Sequence, residues 1–194
     1  KAIWCFRGGY GTVRIVDLLD FSKFKQNPKW IIGFSDVTVL HSHLNNLGFQ
    51  SIHGMMPVNI PRATPEAKES LRKALFGKSL SYIIPYDAMN KTGVARGELV
   101  GGNLSIIYSL FGSESAIDCT DKILFLEDLD EYLYHIDRMM YNLKRNGYFE
   151  NLKFQHIDST NIRPLTDKVI QIQTATYLNT IADKTKKQIL VYSL

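Results

Sequence analysis

The sequence predicts an α/β protein, with an N-terminal parallel sheet of the flavodoxin or Rossmann kind layered with helices and a smaller, incomplete C-terminal α/β lobe. Three observations predict it. In the first half, a short β-rich apolar run repeatedly ends in small or polar residues and passes into a helix-like segment, the rhythm of strands feeding a parallel sheet. Of the 194 residues, 45% are hydrophobic and 22% charged, a balance that supports one sizeable core or two small ones. Glycines mark several element boundaries, as at Gly8–Gly11, Gly48, Gly101-Gly102 and Gly147, and disappear beyond Lys153.

Taken in order, Ala2–Phe6 reads as a strand leading through Arg7-Gly8-Gly9-Tyr10-Gly11 into a helix over Thr12–Leu19, with Val13, Val16, Leu18 and Leu19 on its apolar face. Trp30–Phe34 is a second strand. It passes through Ser35-Asp36 into a helix over Val37–Leu47, with Gly48 where a helix C-terminus favours glycine. Ser51–Met55 is a third strand, followed by a loop over Pro57–Pro65 and a helix over Pro65–Leu75 with proline in its first turn. Leu80–Ile84 is a further strand, and turn-rich Asp87–Gly97 carries the crossing between an N-terminal domain, 1–85, and a second lobe, 86–194. There, Gly101-Gly102-Asn103 opens an apolar helix over Leu104–Phe111 and Lys122–Leu126 is a strand. Glu131–Arg145 is a helix whose Leu133, Ile136, Met139, Met140 and Leu143 recur at helical spacing, with Asp130 as its N-cap and Gly147 marking its end. Residues 154–194 contain no glycine and are rich in Thr, Gln, Ile and Lys; neither caps nor a strand–turn rhythm is legible in them.

Composition narrows the function classes. Lys and Arg number 23 against 19 Asp and Glu, and they are scattered, so no basic stripe predicts nucleic-acid binding. Cys5 and Cys119 form neither a CxxC pair nor a Cys/His cluster, which argues against a metal site or a disulfide framework. No apolar run approaches the roughly 20 residues of a membrane-spanning helix, and no secretory signal opens the chain. The chain begins at Lys1 directly on a strand, without an initiator Met, which suggests a segment removed upstream.

Chemistry-bearing residues gather at strand ends. Ser35 sits where an apolar strand stops and a helix begins, the place where a sharp turn lifts a hydroxyl above the sheet and a helix N-terminus favours negative charge. On motif shape alone the ordinary N-cap role outweighs catalysis, because the stretch lacks the second glycine of G-x-S-x-G. The Arg7–Gly11 turn offers backbone N–H groups to an anion, either a phosphate or an oxyanion, or is a plain tight turn; it matches neither the G-x-G-x-x-G nor the Walker pattern, so the case for a dinucleotide site is weak. Leu126-Glu127-Asp128 places carboxylates at a strand's C-terminal end, and Glu127 is the one suited to orient an imidazole. His41 and His43 are two apart on a helix and face different sides. His53 borders the same edge as a pocket-lining residue, and His135 lies on an amphipathic helix.

Arg7-Gly8-Gly9-Tyr10-Gly11, Gly33-Phe34-Ser35-Asp36-Val37-Thr38, His53-Gly54, Gly97 through Leu104, Leu126-Glu127-Asp128 and the Tyr134–Leu143 helix resemble, in order and spacing, the LD-carboxypeptidase family over about residues 1–153. The resemblance implies Ser35 as nucleophile, Glu127 as the acid that orients a histidine, and the N–H groups of Gly9 and Asp36 as the oxyanion hole. It implies Arg7, His53 and Asn103 as substrate-binding residues and no cofactor. It further implies hydrolysis of the L,D-amide that releases terminal D-alanine from muropeptide tetrapeptides in cytoplasmic cell-wall recycling, by an enzyme that forms homodimers. Two departures stand out: the family carries a strand–helix portion before the glycine turn, and its basic histidine follows a glycine-containing stretch absent here. His156-Ile157-Asp158, with Asn161 and Arg163-Pro164-Leu165, echoes that late block, making His156 the candidate base. The alternatives are a catalytically inactive fragment or peptidoglycan-stem binding module, and a nucleotide-binding domain using Gly8–Gly11.

Overall fold

The computed structural model describes residues 1–82, 95–150 and 152, with the backbone alone of 154–163. Two three-stranded parallel sheets organise it. The first runs β1 (Ala2–Trp4), β2 (Trp30–Gly33), β3 (Ile52–His53) in that order, and the second β4 (Leu99–Asn103), β5 (Ile123–Tyr132), β6 (Phe154–Arg163). Parallel strands need crossovers, and helices supply them: α1 (Ser22–Gln26), α2 (Thr38–Asn46), α3 (Pro65–Leu75), α4 (Leu104–Ser109) and α5 (Leu133–Arg145). The α/β class and parallel pairing are those the sequence predicts.

Most predicted elements recur with trimmed ends. Helix α3 has the predicted bounds, and Thr64 caps it by accepting from the Ala67 N–H. Helix α2 is preceded by a 3-10 turn over Ser35–Val37 and followed by Gly48 at φ 83°. The third strand shortens to Ile52–His53 because the chain then leaves the sheet: the Met55 carbonyl accepts from the Trp4 indole at 2.7 Å. Leu80–Tyr82 forms no strand, and the remainder of that predicted element and most of Asp87–Gly97 lie outside the described residues.

Three expectations are corrected. Thr12–Leu19 is not one helix but two 3-10 turns, Thr12–Arg14 and Val16–Leu18. Clustered β-branched residues disfavour the α-helix there, and only Val16 is buried in these turns, against Val39 and Leu110. Strand β5 does not stop at Leu126; it continues through register shifts to Tyr132. Asp130 is consequently not a helix cap. It sits in that strand at φ 62°, and Tyr132 takes the cap position of α5. The opening of the tail, in which no element is legible, pairs as β6 along β5, from Ile123↔Phe154 to Tyr132↔Arg163. The stretch lacks a clean apolar alternation, so its sequence does not announce the pairing.

The two sheets meet across α2. Val100, Leu104, Ile107, Leu124, Leu126, Met139 and Leu143 form the second lobe's core, while Ile32, Ile52, Met55 and Leu71 fill the first. Glycine makes the junction possible. A Cβ at Gly101 would fall 1.7 Å from the Phe125 carbonyl oxygen, and one at Gly102 would fall 2.7 Å from Thr38 Cγ2 and Oγ1. With φ near 140° at both positions, only glycine lets β4 thread between β5 and α2. Thr38 Oγ1 then accepts from the Asn103 N–H at 3.1 Å, fastening the second lobe to the first three residues beyond Ser35.

Candidate active site

The serine predicted at the end of β2 occupies a left-handed backbone conformation, φ 60°, directly after extended Phe34. A non-glycine residue there carries about 1–2 kcal/mol of steric cost, so its surroundings must hold it in place. Several contacts do so. The Gly33 carbonyl accepts both the Gly54 N–H at 3.0 Å and the His41 ring Nε2 at 2.8 Å. That contact makes Nε2 the protonated nitrogen of His41, so its Nδ1 accepts from Ser51 Oγ at 2.7 Å. Burial pushes His41 down to about 4, so it stays neutral at ordinary pH. A Cβ at Gly33 would approach Val37 Cγ2 to 2.8 Å, and glycine there allows the tight reversal from strand into 3-10 turn.

The glycine turn lies against this serine. A Cβ at Gly8 would stand 3.2 Å from both Cβ and Oγ of Ser35, so the absence of a side chain is what permits the approach. Gly9 passes Asp36, whose Oδ2 lies 3.7 Å from the position of a Gly9 Cβ. Arg7 is exposed, and so is Tyr10, with the Arg14 guanidinium over its ring at 5.5 Å.

On the facing side, Glu127 is the register partner of Asn103 in β4 and of Asp158 in β6. His53, buried and paired in register with Gly33, reaches across from the first sheet, its Nε2 3.9 Å from Glu127 Oε1. The Phe125 ring meets the His53 imidazole edge-on at 5.1 Å, and Phe34 and His41 flank it at 6.2 and 5.9 Å. Burial first, then the neighbouring His41, hold His53 down at about 3, so this imidazole is neutral and poorly basic. A gap beside it is lined by Ser42, Asn45, Gln50, Glu98 and Phe125.

Asn103 caps α4: its Oδ1 accepts from Ile106 N–H and Ser105 Oγ, while its Nδ2 donates to Asp128 Oδ1 at 3.1 Å. Asp128 also accepts the Ser105 N–H at 2.9 Å, and burial raises its carboxyl. Ser35, the glycine turn, His53 and Glu127 thus gather around the junction of the two sheets. His156 falls in β6 opposite Phe125, two register positions before Glu127's partner, and its side chain lies outside the described residues. Sequence reasoning missed Thr12, Thr38 and His41, which fasten the turn, the second lobe and the strand end. Their signal was slight, since each reads as an ordinary helix residue.

Comparison with known proteins bears on the family and the fold. Residues 1–54 match the LD-carboxypeptidase N-terminal domain and residues 96–185 the LD-carboxypeptidase C-terminal domain, the latter running well past Lys153. A probable murein peptide carboxypeptidase of Bacillus subtilis is 39% identical over 153 residues, covering 76% of this chain and 48% of that protein. A murein tetrapeptide carboxypeptidase of Pseudomonas aeruginosa is 32% identical, covering 73% of this chain and 50% of that protein. The crystal structure of a muramoyltetrapeptide carboxypeptidase from Oxalobacter formigenes superposes with a TM-score of 0.76 at 26% identity, over 85% of this chain and 57% of that one. The chain therefore spans about half the length of the relatives it matches, and with both domains matched in order it belongs to the LD-carboxypeptidase family.

Proposed function

We propose that this chain carries the nucleophile and the acidic residue of a serine carboxypeptidase that hydrolyses the L,D-amide bond, releasing terminal D-alanine from murein tetrapeptides. The observation that carries the reading is the serine at φ 60° at the end of β2, its Oγ 3.2 Å from where a side chain on Gly8 would begin. Strain of this kind at a strand–helix turn is what presents a hydroxyl to a substrate carbonyl.

In this reading, Ser35 Oγ attacks the scissile carbonyl as an imidazole removes its proton. The N–H groups of Gly9 and Asp36 receive the oxyanion, with the positive end of the following helix adding to the field. The protonated imidazole returns its proton to the D-alanine amine, which leaves. Water then hydrolyses the acyl-serine by the same relay. Glu127 orients the imidazole. We assign the base to His156, supported by its place one strand over from Glu127; His53, held at about 3, is too weak a base at neutral pH. Arg7, exposed beside the glycine turn, is suited to the substrate's carboxylate, and His53 and Asn103 shape the floor. The reaction takes place in the cytoplasm, and a homodimer is the working form.

The test is D-alanine release from a murein tetrapeptide together with labelling by a serine-reactive phosphonate. Ser35→Ala should abolish both; release undiminished by that substitution would refute the assignment. A stem-binding module without turnover would bind the tetrapeptide and leave Ser35 unlabelled.

A further inference from the structure

The Gly8–Gly11 turn must keep its backbone beside Ser35, yet glycines are the residues least able to hold a conformation by themselves. The 3-10 turn that follows opens at Gly11, which offers no side chain to cap it. Its first N–H, on Thr12, is met from elsewhere: Asp36 Oδ2 accepts the Thr12 N–H at 3.1 Å and the Thr12 hydroxyl at 2.6 Å. Asp36 is 6% exposed, and its Oδ1 is buried with no hydrogen-bond partner among the described residues. A buried carboxylate with one oxygen unsatisfied is costly to keep, and a charge-assisted pair on its other oxygen is the strongest tie available.

The tie joins two parts of the site. Asp36 directly follows the nucleophile and, in the preceding reading, donates one oxyanion N–H. Thr12 directly follows the turn that carries the other. We propose that Asp36 and Thr12 are positioning residues, their paired side chains locking the glycine turn against the serine elbow so that both oxyanion donors are set before substrate arrives. The inference rests on the function proposed above. Preorganised donors act on the transition state more than on the bound substrate, so loosening the lock lowers kcat and leaves KM nearly unchanged.

Thr12→Val removes the hydroxyl at constant shape and keeps the backbone N–H; Thr12→Ser restores the hydroxyl. The expected result is a kcat for D-alanine release about tenfold lower in Thr12→Val, a KM within about twofold, and recovery in Thr12→Ser. Hydrogen–deuterium exchange over residues 6–14 should quicken in Thr12→Val and return to the wild-type rate in Thr12→Ser. Thr12→Ala replaces Thr12→Val should valine prevent folding. Unchanged kcat and exchange, a raised KM at unchanged kcat, or a serine variant as impaired as the valine variant overturns the lock. If the wild-type chain releases no D-alanine, the proposed function fails, and exchange in the turn alone decides whether the lock exists.

Discussion

The two sheets hold their functional residues by different means. In the first, β1 is exposed along its whole length and β3 is two residues long, yet between them Ser35 sits in a conformation that costs energy. It is held by ties around the end of β2: His41 and Gly54 on the Gly33 carbonyl, Gly8 against the hydroxyl, Asp36 on Thr12. In the second sheet, Ile123, Leu124, Phe125 and Leu126 are all 2% exposed or less, and Glu127 is placed simply by being next in register on that strand. A nucleophile that must be strained needs many local ties. An acid that need only point the right way can ride on a well-packed strand.

Substitutions at each region sharpen this contrast. The largest effect should come from Gly101→Ala, where a methyl would land on the Phe125 carbonyl; with no flexible side chain able to yield, we expect loss of more than about 4 kcal/mol, read as failure to recover folded chain or as collapse of the melting transition. Phe125→Ala should cost about 3–5 kcal/mol by denaturant titration, since it empties the core under Glu127 and removes the ring against His53.

Acid should next loosen the first sheet. Burial keeps His41 and His53 neutral, so the unfolded chain takes up protons on them below about pH 6.5, whereas the folded chain does so only near 4 and 3. Stability from these residues is therefore complete above pH 6.5 and lost as pH falls through that window. Asp128, raised by burial, has the opposite sign over the carboxylate range. Melting temperatures of wild type and His53→Asn between pH 7 and 4 check this: the variant should show the shallower decline, and parallel declines would show that His53 does not set the acid response. The smallest effect is the most diagnostic of strain. Ser35→Gly should be about 0.5–1 kcal/mol more stable than Ser35→Ala, because only glycine accepts φ 60° without cost; equal stabilities would mean the elbow is not strained.

Legibility followed the same division. The strands Trp30–Gly33 and Ile123–Leu126, the helix Pro65–Leu75 and the glycine punctuation at Gly48 and Gly147 are local matters of apolar patterning and backbone freedom, and each was readable. Thr12–Leu19 has apolar residues at helical spacing, the pattern of one buried helical face, yet only Val16 of them finds a core. A carboxylate ahead of an amphipathic run, as at Asp130, looks like a cap, but β6 pairs with β5 as far as Tyr132, so the helix starts later.

Residue order alone determined the α/β class, the family resemblance and the identity of Ser35 and Glu127 as residues at the ends of apolar runs, because strand and helix periodicity and glycine's freedom are properties of short stretches of chain. Only the tertiary structure decided that Thr12 grips Asp36, that Thr38 receives β4, that His53 stands beside Glu127 and that β5 runs on to Tyr132. Each of these joins segments distant in sequence, and such partners are chosen by how the two sheets pack around α2 rather than by any pattern within either segment.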